Sequence, residues 1–182
     1  MEQAFSQDDC VLIKPDESLA GEIESYRASL LACGSSMDGT GPLQRMEHAE
    51  EWLQFNKDAE DPIKKPSFWV VSEQFAYVRV SDGRIVGMIQ FRHEFNDFLR
   101  DFGGNIGYSV RPDERGKGYA TRMLRACLGV CKAFGLKRVL ITCIEGNEGS
   151  KRTILANGGV YEKTVFCERD GVILERYWIT LS

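Results

Sequence analysis

The chain has 182 residues, of which 43% are hydrophobic and 27% are charged. These values are ordinary for a globular protein with one sizeable core, and we predict a single domain that covers residues 1–182. No apolar run approaches the roughly 18 residues that a membrane span requires, and the acidic N-terminus lacks the apolar segment of a signal peptide. We therefore expect a cytoplasmic protein that does not work at a membrane.

The formal net charge of −4 hides an uneven distribution. Residues 1–61 carry 14 acidic and 4 basic side chains, whereas residues 62–182 carry 13 acidic and 19 basic ones. The acidic part can face a cationic acceptor such as an amine, although solvated acidic helix faces produce the same pattern. Because the chain is acidic overall, it is not expected to bind nucleic acid.

The six cysteines form no pattern that is typical of disulfides or metal sites. There is no Cys-x-x-Cys pair, and only two histidines are available as further ligands. Cys127 and Cys131 lie four residues apart on an apolar helix face, where a free thiol behaves as a small hydrophobic group. We predict reduced, structural cysteines and no metal site.

The first third of the chain predicts a short strand followed by two helices. Val11–Ile13 is an apolar run before a Lys-Pro pair, as in an edge strand. A helix that begins at Asp16 or Ser18 and ends at Leu31 has apolar side chains at helical spacing. A second helix is predicted over Leu43–Lys57, and the glycine-rich segment between the two helices is predicted to be a loop.

A β-rich region follows these helices. Phe68–Val71 and Phe75–Val80 are rich in aromatic and β-branched residues, and Ile85–Phe95 continues the pattern. The Asp-Gly pair at residues 82–83 predicts a hairpin turn, because this pair tolerates positive φ angles. Asn96–Gly104 is then predicted to be a loop.

The second half of the chain predicts alternating strands and helices. Ile106–Val110 is a strand that leads through a glycine turn into a helix, which ends before Gly135. Val139–Ile144 is apolar on both faces, as in a buried strand, and a strand–helix–strand unit makes its two strands parallel neighbours. The last elements are a short helix over residues 148–157 and a hairpin of Val160–Cys167 and Val172–Leu181. We predict a mixed, central α/β sheet with helices on both faces.

The turn between the first of these strands and its helix is a candidate phosphate site. The first amides of a helix lack internal partners and lie at its positive end. Gly116 and Gly118 remove side chains that would block a phosphate, and Arg115 and Lys117 add positive charge. The segment lacks the spacing of a Walker loop, and Thr121 stands where a Rossmann fingerprint requires its third glycine.

The pattern Arg-x-x-Gly-x-Ala over Arg115–Ala120, directly after a strand that ends in Val-Arg-Pro, resembles the acyl-CoA signature of the GNAT superfamily of N-acetyltransferases. The resemblance runs from about Ser81 to the C-terminus and extends to bacterial predicted acetyltransferases of unknown substrate. It implies a GNAT-like fold in which residues 67–182 form the sheet and the acyl-CoA core, and residues 1–66 form a helical, acceptor-side region. It also implies that acetyl-CoA is the co-substrate and that the acetyl group passes directly to a primary amine of a small molecule or a protein.

The same resemblance assigns the cofactor contacts. In this family the two parallel strands splay apart, which frees backbone groups for the pantetheine arm, and the amides of the glycine turn hold the pyrophosphate. The implied cofactor-binding residues are Ser109, Val110, Arg115, Gly116, Lys117, Gly118, Tyr119, Ala120, Thr121, Asn147 and Ser150. The residues taken alone also allow a paired core strand, an ordinary glycine turn, and a helix that Asn147 caps.

The catalytic acid departs from the family pattern. Many members place a tyrosine seven residues after the asparagine, and here that position is Ile154. The pattern assigns no substitute. Nearby hydroxyls are those of Ser150, Thr153 and Tyr161, the last of which fits core packing, and Tyr108 on the cofactor strand is a further candidate. His93, Glu94 and Asp97 are the candidate bases. However, His93 shares the parity of an apolar core face, Glu94 fits a solvated strand end, and a water chain can replace a dedicated base.

Two other functions stay open on the sequence alone. Because Ile154 replaces the tyrosine and no base is obligatory, the chain also fits a non-catalytic acyl-CoA-binding sensor. Glu145 ends a strand after the glycine turn, as the ribose-binding acid of a dinucleotide-binding protein does, but it stands past the usual spacing of about 20 residues. The sequence does not identify the amine acceptor, and the final strands allow pairing in a homodimer.

Overall fold

The computed structural model describes residues 9–181, in which four α-helices flank two antiparallel sheets. The strands are β1 Cys10–Ile13, β2 Ser72–Arg79, β3 Ile85–Arg92, β4 Ile106–Val110, β5 Arg138–Ile144, β6 Val160–Cys167 and β7 Val172–Thr180. The helices are α1 Ala20–Ala32, α2 Ala49–Ala59, α3 Tyr119–Phe134 and α4 Glu148–Ala156. The predicted fold class, a mixed arrangement of sheet strands and flanking helices, is confirmed.

The first sheet has the strand order β1-β2-β3-β4, and the second has the order β5-β7-β6. The predicted edge strand is β1, which pairs with β2. The predicted hairpin turn joins β2 to β3, and Gly83 adopts a φ angle of 70° there, a left-handed conformation that glycine reaches without steric cost. The last two strands form the predicted C-terminal hairpin.

The first sheet separates two hydrophobic cores, because successive side chains of a strand point to opposite faces. Ala76 and Val78 on β2 pack in a core that α1 and α2 cover and that contains Trp52. Phe75 and Tyr77 on the same strand pack on the other face, with the apolar side of α3 and the inner side of the second sheet. Helices therefore cover both faces of this sheet, as predicted.

The strands β4 and β5 belong to different sheets. We predicted one continuous central sheet, and the structure has two. The two strands meet at the buried residue Asn105, whose backbone N–H donates to Leu140 O at 2.7 Å. The Asn105 side-chain oxygen accepts from Leu140 N–H at 2.9 Å, and its amide donates to Arg92 O at 3.2 Å. Beyond this point, within the described residues, β4 and β5 share no ladder of backbone hydrogen bonds. This is the separation that the resemblance implied.

The segment before β2 is not the strand that its composition predicted. Trp69 N–H donates to Pro66 O at 2.8 Å, and the Trp69 ring packs edge-on against Phe55 with centroids 5.4 Å apart. Phe68 is 75% exposed. The aromatic residues of this segment therefore serve a turn and a ring cluster, and sheet pairing begins at Ser72.

Three further boundaries differ from the prediction. The second predicted helix is divided into a short 3-10 turn at Leu43–Arg45 and α2, with Met46 in an extended conformation after the turn. The strand β3 ends at Arg92 instead of Phe95. The loop that follows contains a π-helical turn at Leu99–Gly103.

None of the six cysteines, all within residues 9–181, forms a disulfide, and five of them are buried. None of the helices within residues 9–181 is both long and apolar enough to cross a membrane.

Candidate active site

A cavity of about 840 Å³ opens where β4 and β5 separate. Its walls come from these two strands, the glycine turn, the first turn of α3 and the first half of α4. The loop between α1 and α2, the π-helical turn, and the turn between β6 and β7 form the remaining walls. Segments that are far apart in sequence therefore converge on one space, and its volume is typical of a ligand-binding site.

The glycine turn presents its backbone to this cavity. Gly116 and Gly118 have φ angles of 77° and 78°, and Gly118 is the N-cap residue of α3. The Arg122 amide donates to Gly118 O at 3.2 Å, so the earlier amides of the helix lack a partner within it. Residues 118–121 line the cavity. An anion placed there meets these amides at the positive end of a helix of 16 residues.

The two basic residues of the turn are held by the protein itself. Arg115 donates from Nε to Val110 O at 3.2 Å and from Nη2 to Ser35 Oγ at 3.0 Å, at the cavity wall. Lys117 pairs with Glu114 at 2.8 Å and does not line the cavity. The turn therefore offers an anion mainly backbone N–H groups, with the Arg115 guanidinium beside them.

Glu114 fixes the turn to the first sheet. Its side chain is 2% exposed and accepts from Arg79 at 3.0 Å, Arg84 at 3.1 Å and Lys117 at 2.8 Å. Burial alone raises the pKa of Glu114, but hydrogen bonds from Lys117 and Arg79 outweigh burial and hold the pKa below its usual range. The Tyr119 hydroxyl bonds the same arginine, Arg79, at 3.3 Å, which fixes the first residue of α3.

One edge of the β4 backbone is open towards the cavity. The Arg111 amide donates to Val86 O at 2.9 Å, towards β3. Because hydrogen-bonding residues alternate along an antiparallel pair, the amides of Tyr108 and Val110 point the opposite way, to the edge that β5 leaves free. The Ser109 hydroxyl is held at 3.0 Å by a tyrosine of α1, so the backbone of this strand is what remains available to a ligand.

Two hydroxyl groups form a pair at the cavity wall. Tyr108 Oη lies 2.8 Å from Ser150 Oγ. Burial raises the pKa of Tyr108 well above its usual range, so the phenol stays protonated and can donate a proton. Asn147 caps α4 by accepting from Ser150 N–H at 3.1 Å, and it also lines the cavity.

Ile154 does not face this hydroxyl pair. Its side chain is fully buried in the core that contains the apolar side of α3. A Cβ atom placed on Gly159 would lie 2.4 Å from Ile154 Cγ2, so the packing around it is tight. Thr153, one residue earlier, lines the cavity instead.

The structure does not bring the predicted bases to the cavity. The His93 ring packs on Phe134, at the C-terminal end of α3, with ring centroids 4.2 Å apart. His93 Nε2 lies 2.9 Å from Glu73 Oε2. Glu94 and Asp97 are exposed, and none of the three predicted bases lines the cavity. His93 therefore lies at the C-terminal end of α3, whereas the cavity contains the first turn of that helix.

The loop between α1 and α2 supplies a carboxylate that the sequence prediction missed. Asp38 lines the cavity, and its Oδ2 atom accepts from Ser36 Oγ at 2.8 Å. This loop lies directly on β4, since a Cβ atom on Gly39 would be 2.0 Å from Gly107 O. Burial is the main cause that raises the pKa of Tyr108, and the charge of Asp38 adds a lesser contribution. An Asp-Gly pair in a glycine-rich segment is typical of a turn, and nothing else in the sequence distinguishes Asp38.

Arg92, the last residue of β3, also lines the cavity and was not among the predicted site residues. Its guanidinium donates to Gln90 Oε1 at 3.2 Å, Gly103 O at 3.0 Å and Gly104 O at 3.4 Å. Burial lowers the pKa of Arg92 to about 10, so the group is charged at neutral pH. No sequence signal distinguishes Arg92, because an arginine at a strand end is usually solvated.

Residues 23–160 match a family model that is described as an acetyltransferase (GNAT) domain. No curated protein matches the chain in sequence.

Solved structures with a similar fold are known from several bacteria. A ribosomal-protein-S5-alanine acetyltransferase from Vibrio fischeri has a TM-score of 0.72 and 17% identity, over 100% of this chain and 98% of its own. A putative acetyltransferase from Salmonella typhimurium, solved with acetyl-CoA, has a TM-score of 0.66 and 15% identity, over 96% and 95%. A spermidine N-acetyltransferase from Vibrio cholerae has a TM-score of 0.66 and 15% identity, over 97% and 96%. Because the sequence identities are this low, the structural similarity establishes the shared fold alone.

The matched family model spans most of the chain, which therefore belongs to the GNAT acetyltransferase family. The predicted class of enzyme, an acetyl-CoA-dependent N-acetyltransferase, is confirmed.

Proposed function

We propose that residues 1–182 act as one catalytic domain that transfers an acetyl group from acetyl-CoA directly to a primary amine in the cavity. The observation that carries this proposal is the convergence of three features on one space: the open edge of β4, the amides that begin α3, and the Tyr108–Ser150 hydroxyl pair. Residues 67–182 supply the cofactor side. Residues 1–66 supply the acceptor side, through the loop that carries Asp38.

The cofactor side fits a pyrophosphate and an extended arm. A Cβ atom on Gly116 or Gly118 would meet no atom within 4 Å, so the turn is open to a ligand. The amides of residues 118–121 are free to donate to phosphate oxygens, and the edge of β4 can pair with an extended arm as a neighbouring strand would. When bound, acetyl-CoA supplies the activated acetyl thioester.

The Val110 amide is proposed to donate to the thioester oxygen, where negative charge develops during acyl transfer. A fixed backbone donor in such a position stabilises the transition state by about 3 kcal/mol. The carbonyl of the same residue is already engaged by Arg115 at 3.2 Å. This contact holds the end of β4 in place.

Asp38 and Tyr108 are proposed to move the protons of the reaction. The Asp38 carboxylate takes a proton from the acceptor ammonium, so that the neutral amine can attack. Tyr108 Oη gives its proton to the leaving sulfur as the carbon–sulfur bond breaks. The new amide nitrogen then loses its second proton, which returns to Tyr108 through the Ser150 hydroxyl 2.8 Å away. His93 and Glu94 have no role in this proposal. The hydroxyl pair supplies the acid that position 154 lacks, which favours an enzyme over a non-catalytic sensor.

Replacement of Tyr108 by Phe removes the proposed acid and keeps the ring. We expect kcat to fall by about 100-fold with little change in acetyl-CoA affinity, measured by thiol release across a panel of amines and by calorimetry. Tyr161→Phe is the matched control, because the Tyr161 hydroxyl bonds Thr164 at the protein surface. Unchanged turnover in Tyr108→Phe would exclude this acid. Tight acetyl-CoA binding without thiol release for any amine would favour the sensor.

We also propose that the protein works in the cytoplasm, because the six cysteines, all within residues 9–181, form no disulfide.

A homodimer through β6 is a further proposal. This strand is the edge of the second sheet and exposes Val160, Tyr161 and Phe166. The Vibrio cholerae spermidine N-acetyltransferase is described as dodecameric, so assemblies occur on this fold. We expect the wild type to sediment as a dimer and Phe166→Lys as a monomer. A monomeric wild type would contradict the proposal.

A further inference from the structure

The acceptor side of the cavity holds one positive and one negative group from different elements. Arg92 ends β3, Asp38 lies in the loop between α1 and α2, and both line the cavity. A Cβ atom on Gly107 would lie 2.8 Å from Arg92 Nη2 and 3.1 Å from the backbone nitrogen of Gly39. The Arg92 guanidinium and Gly39, the residue after Asp38, therefore both lie beside Gly107 of β4.

The two charges do not neutralise each other directly. Asp38 and Arg92 form no ion pair, although the Asp38 charge acts on the guanidinium. Both groups line the same cavity, and they do not bond each other across it. The Asp38 carboxylate bonds Ser36 instead, within its own loop.

The acceptors that bond the Arg92 guanidinium are neutral. Its Nε atom donates to the Gln90 side chain, and its Nη1 atom donates to the carbonyls of Gly103 and Gly104. Within residues 9–181, Nη2 forms no hydrogen bond, and it carries two further donors. A desolvated cation whose partners are all neutral is costly, so a ligand that brings a carboxylate to Nη2 binds with a large electrostatic gain.

From this arrangement we propose that the acceptor is an amine that also carries a carboxylate, of the class of free amino acids. Its ammonium lies at Asp38 and its carboxylate at Arg92 Nη2. This inference rests on the proposed function, in which the same Asp38 takes the proton of the ammonium. A polyamine is disfavoured, because its second ammonium would face the guanidinium.

The test compares acceptors that differ in the carboxylate alone. Thiol release from acetyl-CoA is measured with free amino acids, with the corresponding amino acid amides, and with spermidine. For the amino acids that are used best, we expect kcat/KM to exceed that of the matched amide by about 10- to 100-fold, which is the effect of one hydrogen bond to a charged group. Calorimetry with the same pairs, in the presence of CoA, measures the preference without turnover.

Three variants separate recognition from folding. Arg92→Gln is expected to lower kcat/KM for the amino acid by about 10- to 100-fold and to change that of the amide little, with the KM for acetyl-CoA unaltered. Arg92→Lys retains the charge and is expected to keep part of the preference. Arg100→Gln is the matched control, because Arg100 is exposed, pairs with Asp97 and does not line the cavity.

The outcomes distinguish this inference from the proposed function. If amides or spermidine are acetylated as well as the free amino acids, the inference is overturned and the proposed function stands. Equal losses for amino acid and amide in both Arg92 variants would also overturn it. If no amine of any class stimulates thiol release or binds with CoA, the proposed function fails, and the inference fails with it.

Discussion

At the residue scale, the environment of a side chain decides its part in this cavity. Tyr108 is a phenol that burial keeps protonated, 2.8 Å from a serine hydroxyl. Asp38 is the carboxylate of an Asp-Gly turn that packing on β4 brings to the cavity wall. Ile154 occupies a position where many GNAT members carry a tyrosine, and here it is a core residue.

The sequence and the structure predict different effects for a tyrosine at position 154. The sequence alone suggests that Ile154→Tyr fills a vacant acid position and raises turnover. Because Ile154 is fully buried beside Gly159, we expect a loss of about 1–3 kcal/mol in the free energy of unfolding and no gain in kcat. Urea denaturation and thiol-release assays check both parts, with Ile154→Leu as the volume-conserving control. Higher turnover at unchanged stability would contradict this packing argument.

The sequence says more about the proposed cofactor side of the site than about the acceptor side. The strand, the two glycines and the helix start lie within a few consecutive turns of chain, so Gly116, Gly118 and the open strand could be read as one local pattern. Asp38 and Arg92 come from separate loops and strand ends that only tertiary packing brings together. His93 has the residue type of a base, but its ring packs on Phe134.

At the scale of elements, the cavity depends on the separation of β4 from β5. Asn105 joins the two strands at one end by a backbone and a side-chain hydrogen bond to Leu140. A continuous pair of strands would leave no free edge on β4 and no cavity. The bounds of β4 and β5 were predicted within a residue. Their separation was implied by the family resemblance alone, since the pattern of buried strands is the same in one sheet or two.

Asn105→Leu tests the role of this junction. The change leaves the Leu140 amide and the Arg92 carbonyl without their side-chain partners in a buried place. We expect the free energy of unfolding to fall by about 2–4 kcal/mol, measured by urea denaturation. Gln54→Leu, at an exposed position of α2, serves as control and should change stability by about 0.5 kcal/mol or less. Equal effects of the two changes would show that Asn105 does not hold the strands.

At the scale of the whole molecule, the cofactor turn is fastened to the first sheet through a buried carboxylate. Glu114 accepts from Arg79 on β2, Arg84 in the hairpin turn and Lys117 in the glycine turn. Its folded pKa lies below the usual 4.5. The stabilisation is therefore fully present above that pH and is lost as the pH falls through the folded pKa.

Glu114→Gln should lower the free energy of unfolding by about 2–3 kcal/mol at pH 7, because three cations lose a charged partner. The difference from the wild type should shrink as the pH falls below 4.5, because the carboxyl group is protonated first in the unfolded and then in the folded state. Denaturation curves from pH 7 to pH 3 measure it. A difference that stays constant over this range would mean that the charge of Glu114 is not what stabilises the turn.

The central claim is that the space between β4 and β5 binds acetyl-CoA at the glycine turn, and thermal unfolding with added ligand tests it most directly. Acetyl-CoA and CoA at 100 times their dissociation constant should each stabilise the wild type by about 2.7 kcal/mol, a shift of a few degrees, whereas NADH and ATP should not. Gly118→Glu places a carboxylate at the start of α3 and should abolish the shift. Gly129→Glu adds the same charge on an exposed part of that helix and should retain it. No shift with either CoA species, or an equal shift in Gly118→Glu, would contradict the claim.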